Sequence, residues 1–61
     1  MTQEEAHNVW KVLNSYHNDL ITLYDDAVKF APQEDRQAIE SERDRAIDEV
    51  IKAKIIVSNS F

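Results

Sequence analysis

A chain of 61 residues without cysteine excludes a disulfide scaffold and a second domain, and its core is too small to be stable without help. Its 7 basic and 12 acidic side chains, a net charge of −5, disfavour non-specific nucleic-acid binding by Coulomb repulsion. No Cys/His cluster can hold zinc, and no apolar run approaches the roughly 20 residues a bilayer span needs. Self-association is therefore the expected route to stability. The start, Met-Thr-Gln-Glu-Glu, lacks the basic and apolar regions of a signal peptide, so a cytoplasmic protein is expected. The chain has no glycine, which suits helices better than sheets and tight hairpins.

The first predicted element runs over residues 2–30. Thr2-Gln-Glu-Glu5 is a capping box, in which a hydroxyl and a carboxylate three residues apart each satisfy an orphan backbone N–H. Read in sevens, Ala6, Leu13, Leu20 and Ala27 occupy the a position, with Val9, Tyr16, Leu23 and Phe30 at d. Such an a/d seam marks a helix packed along its length against other helices. Trp10, Tyr24 and Ala31 widen it on the adjoining position, with Ile21 and Val28 beside them. Residues 14–19 are the weakest part, because Asn, Ser and Asp compete for backbone hydrogen bonds.

The first helix is expected to stop near Ala31, since a proline disfavours the α conformation in the residue before it. Pro32 suits the first position of the next helix, and Glu34 and Asp35 suit the positive end of its dipole. The second helix is predicted over residues 33–57. Its inward positions read Ile39, Arg43, Ala46, Val50, Ala53 and Val57, with Ile47, Ile51 and Ile56 beside them. Arg36–Glu40, Arg45–Glu49 and Asp48–Lys52 are i,i+4 pairs on its outer side. The Arg43 head is expected to reach Asp25, Asp26 or another chain, and Lys54 to serve the negative end of the dipole. The last four residues are expected to fray unless Phe61 docks on the mouth of the bundle.

A short connection folds the second helix back antiparallel to the first. Ala27 then faces Ile39, Leu20 faces Ala46, Leu13 faces Ala53 and Tyr16 faces Val50, so large meets small in three layers of four. The expected fold is a single all-α domain, an antiparallel helical hairpin. Trp10, Tyr24, Ile21, Val28, Ile47 and Ile51 would stay partly wet, and two hairpins packed face to face would cover them as a four-helix bundle. A homodimer is expected, with Leu13, Tyr16, Leu20, Leu23, Ile47, Val50 and Ile51 forming its core and dimer contacts.

In chain size, acidic balance, Thr-capped start, central turn and Ala/Leu layers the chain resembles the Rop family, plasmid RNA modulators whose helical hairpins dimerise into four-helix bundles. The resemblance covers the whole length. It implies an RNA-contacting outer face on the first helix, which here would carry His7, Lys11, Asn14 and Asn18, followed by Thr22 and Asp25.

Chemistry is sparsely represented. Glu4-x-x-His7 is half of a di-metal carboxylate motif, but no glutamate faces it from residues 58–60. His17 flanks the seam, and Ser15 and Ser41 have no evident base. No enzyme, metal or cofactor is expected. The leading expectation is a small non-enzymatic regulator or inhibitor that occupies another protein's surface. Trp10 and Tyr24 would be its aromatic anchors, and Asp19, Asp25, Asp26, Glu40, Asp44 and Asp48 its acidic exterior toward a basic partner. An RNA-binding regulator and a structural assembly or chaperone subunit are the rival expectations.

Overall fold

The computed structural model describes residues 1–61 and contains two helices, α1 (Gln3–Phe30) and α2 (Gln33–Ser58). The start of α1 is held by the capping box. The Glu5 backbone N–H donates to Thr2 Oγ1 at 3.1 Å, and the Thr2 N–H donates to Glu5 Oε1 at 3.0 Å. The Thr2 backbone N–H that donates to the carboxylate, and after it the Thr2 hydroxyl, favour the ionised form, so the Glu5 pKa lies below its ordinary value of 4.5. The stabilisation they give is whole above that value and is lost as the pH falls through the folded-state pKa. Protection of the first-turn amides of Glu5 and Ala6, taken relative to the free-peptide exchange rate at the same pH, is expected to fall across this acid range. A Glu5→Ala chain, which lacks the carboxylate that the Thr2 N–H donates to, should show no such step.

In the middle of α1 the Thr22 hydroxyl donates back to the Asn18 carbonyl at 3.3 Å, within a helix that stays continuous through its Asn- and Asp-rich part. At its C-terminus the Ala31 N–H still closes on the Ala27 carbonyl at 3.0 Å. Ala31 and Pro32 are then both extended, with ψ of 151° and 149°. Proline imposes this on its predecessor and adopts it readily itself. Two extended residues reverse the chain, and no residue needs a positive φ. Pro32 stands one position earlier than expected, as the residue before the first helical turn, where its carbonyl accepts from Asp35 at 3.0 Å.

The tail does not end as a frayed helix. The Ser58 hydroxyl donates to the Ile55 carbonyl at 2.8 Å, and Ser60 and Phe61 close successive tight turns on Val57 and Ser58. Phe61 thereby reaches the start of α1, its ring centroid 5.6 Å from that of His7.

The hairpin is a rod of 46 × 15 × 10 Å with a radius of gyration of 14.3 Å, against about 10.5 Å for a compact globule of this length. Only Ala6, Leu20 and Val50 are buried, and these form the core. Around them the contact between helices uses Trp10, Leu13, His17, Tyr24 and Val28 of α1, and Ala31 just past its end, all half-buried. From α2 it uses Ile39, Arg43, Ala46, Ile47, Ala53, Lys54 and Val57. Leu13 and Leu20 hold a positions and Trp10, His17, Tyr24 and Ala31 the adjoining e positions, while Val28 lies on the flank and Ala27, expected to face Ile39, is exposed. The d positions, counted as part of the seam from the sequence, turn out of the hairpin. A two-helix contact covers only a narrow arc of each helix, and α1 has rotated so that Trp10, His17 and Tyr24 lie against α2.

The charged side chains differ from the expected pattern in part. Asp48–Lys52 forms at 2.9 Å and raises the Lys52 pKa, mainly through that hydrogen bond. Arg36 instead donates to the Ala31 carbonyl at 3.4 Å, and neither Arg36–Glu40 nor Arg45–Glu49 is formed. Arg43 does not cross to Asp25 or Asp26. Its Nε and Nη2 both donate to Asp44 Oδ1 at 3.2 Å, because the adjacent carboxylate can be reached without stretching the stem across the partner helix.

Candidate interaction surfaces

Three features of the rod can carry recognition. The first is a cross-helix cluster that begins with the Lys54 stem lying in the seam. Lys54 follows Ile47 by seven residues and Val50 by four, which places it on the inward face of α2. From α1, Trp10, Asn14 and His17 come to the same level at spacings of four and three. The Lys54 ammonium donates to Asn14 Oδ1 at 2.8 Å, sits 3.5 Å from His17 Nδ1, and lies 4.8 Å from the Trp10 ring centroid. The amide bond is short and the imidazole contact long for a hydrogen bond. The charge is satisfied without a carboxylate, by one neutral acceptor and the negative face of an indole.

Sequence reasoning placed Lys54 at the helix dipole and missed this cluster. The signal that could have found it is the seven-residue step from Ile47, which marks a lysine at a seam position. The cluster also changes the reading of two predicted sites. Trp10 is half-covered by an ammonium rather than offered as an open anchor. Asn14, assigned with His7, Lys11 and Asn18 to an RNA-contacting face, has its amide oxygen engaged within the hairpin. His7, Lys11 and Asn18 are exposed, with His7 against Phe61.

The second feature is the outward d stripe of α1. Val9, Tyr16, Leu23 and Phe30 are 39, 52, 63 and 80% exposed, and Val12 beside them is 69% exposed. Of the expected core and dimer residues, Leu20 and Val50 are buried, and Leu13 and Ile47 half-buried. Tyr16 and Leu23 lie in this stripe, and Ile51 is exposed on α2. On the flanks of the inter-helix contact Tyr24 and Val28 are half-buried, while Ile21 is still exposed.

The third feature is the acidic exterior. Asp19, Asp25, Asp26, Glu40, Asp44 and Asp48 are all exposed. Asp44 and Asp48 hold Arg43 and Lys52, whereas Asp19, Asp25, Asp26 and Glu40 form no ion pair. Asp25 and Asp26 lie close to the connection, where Glu34 and Asp35 begin α2, so negative charge collects at that end of the rod.

Gln3, Glu4, His7 and Phe61 line a shallow, open depression at the other end. No helix is long and apolar enough to cross a membrane. Compared with known protein families, curated proteins and solved structures, the chain matches none.

Proposed function

We propose that the protein is a small non-enzymatic regulator or inhibitor that works by binding another protein. The observation that carries this reading is the imbalance between buried and exposed apolar side chains. Three residues are buried, while eleven large apolar side chains stand exposed along the rod. The exposed set includes the d stripe, Ile21, Ile51, Ile55 and Ile56, far more than the scattered apolar residues normal on a monomer. Surfaces of this kind are completed by another polypeptide. The unpaired carboxylates at Asp19, Asp25, Asp26 and Glu40 favour a partner with a basic patch, which they would steer and orient.

A tagged chain used as bait in a lysate of the source organism, with and without nuclease, tests the reading. The expected result is a stoichiometric protein that survives nuclease and is lost on raising the salt or on the double substitution Asp25→Lys, Asp26→Lys. Recovery of an RNA that disappears with nuclease would overturn it in favour of the RNA-binding alternative, with His7, Lys11 and Asn18 as the residues to change next.

A further inference from the structure

The d stripe of α1 has a specific occupant. We propose that it is covered by a second copy of the chain, packed α1 against antiparallel α1 about a two-fold axis that passes near Asp19 and Leu20. The proposal goes beyond the protein-binding reading above and stands independently of it, assigning one of the apolar surfaces to self-association.

Surface area gives the first argument. The hairpin exposes 4664 Å², whereas a compact monomer of its mass exposes about 4,100 Å². The excess of about 600 Å² is close to the roughly 800 Å² that each partner contributes to a standard interface. A chain with three buried residues needs such a contact to fold stably.

Self-complementarity gives the second. The stripe residues are spaced by seven, so turning one copy of α1 end for end brings Val9 onto Phe30 and Tyr16 onto Leu23. Every stripe residue then meets an apolar one, and both ends pair a large side chain with a smaller one. A two-fold contact of this kind is closed and buries the whole stripe at once.

Sedimentation equilibrium of the native chain is expected to give twice its 7.1 kDa mass. Leu23→Lys and Tyr16→Glu are each expected to weaken the dimer at least tenfold. The antiparallel arrangement places residue 23 of one copy on residue 16 of the other, so an equimolar mixture of the two variants should recover a heterodimer. It should also recover whatever helical signal either variant loses alone. A monomeric native chain, variants that remain dimers, or a mixture that fails to re-form would each overturn the proposal. The outcome is separable from that of the bait experiment. A dimer that captures no partner leaves this interface standing and removes the regulator reading, and a monomer that captures one does the reverse.

Discussion

Leu20→Asp is expected to abolish the hairpin. Leu20 is one of three buried residues, in the middle of α1. Removing its side chain from the contact forfeits about 1.5–3 kcal/mol of apolar burial. An aspartate there must also lose its hydration in the apolar contact, and the inward cations of α2, Arg43 and Lys54, are already held by Asp44 and Asn14. That penalty adds several kcal/mol. A core of this size supplies no more than about 3–5 kcal/mol in total, so the substitution exceeds the stability available. Far-UV circular dichroism should show loss of most helical signal at neutral pH. Ile55→Asp makes the same chemical change at an exposed site on α2 and should stay within about 0.5 kcal/mol of the native chain. A Leu20→Asp chain that still melts cooperatively from a helical state would show that the seam lies elsewhere on α1.

Lys54→Ala is the second large effect. The ammonium holds Asn14 and covers Trp10 across the hairpin, and it is the only contact in which a charged side chain of α2 bonds a side chain of α1. Its loss removes a charge-assisted hydrogen bond and a cation–π contact, and uncovers part of the indole. The expected cost is about 1–2 kcal/mol, read as a lowered midpoint in urea unfolding. Trp10 is the sole tryptophan, so its emission reports on this cluster alone. It should move to longer wavelength in the folded variant. Lys54→Met keeps the apolar stem and removes only the charge, so it should recover part of the stability. An unchanged midpoint and emission in Lys54→Ala would mean that the ammonium does not hold this position in solution.

The two experiments bear on different layers of the molecule. Leu20 belongs to the apolar contact that makes the hairpin a hairpin. Lys54 sets the rotation and register of one helix on the other, because an ammonium with three donors is satisfied only where Asn14 and Trp10 come level with it. A polar contact of this kind adds little net stability but penalises slipped registers, in which the charge would be left without partners. The open end of the rod is closed by Phe61 on His7, and the connection end carries the excess acidic charge. If α1 pairs with its own copy, the face bearing Ile21, Ile51 and Ile55 is left for a further partner.

The sequence by itself determined the local features. Thr2 and Glu5 start α1, the Ala31–Pro32 pair ends it, and α2 follows after two extended residues. Each depends on groups within four residues of one another: a hydroxyl and a carboxylate three apart, or a pyrrolidine ring that restricts the residue before it. The seven-residue repeat likewise made the antiparallel pairing and the burial of Leu20 and Val50 readable. Tertiary structure alone decided which flank of α1 faces α2. Apolar residues at positions a, d and e spread over about half the circumference of α1, and hydrophobicity does not distinguish the d flank from the e flank. The rotation depends on what α2 presents along its inward face: small Ala46 and Ala53, and a lysine that bonds Asn14. The same rotation sent Tyr16, Leu23 and Phe30 outward and brought Trp10, Asn14 and His17 level with Lys54. Neither could be read from one helix at a time, because the energy that decides them belongs to the pair.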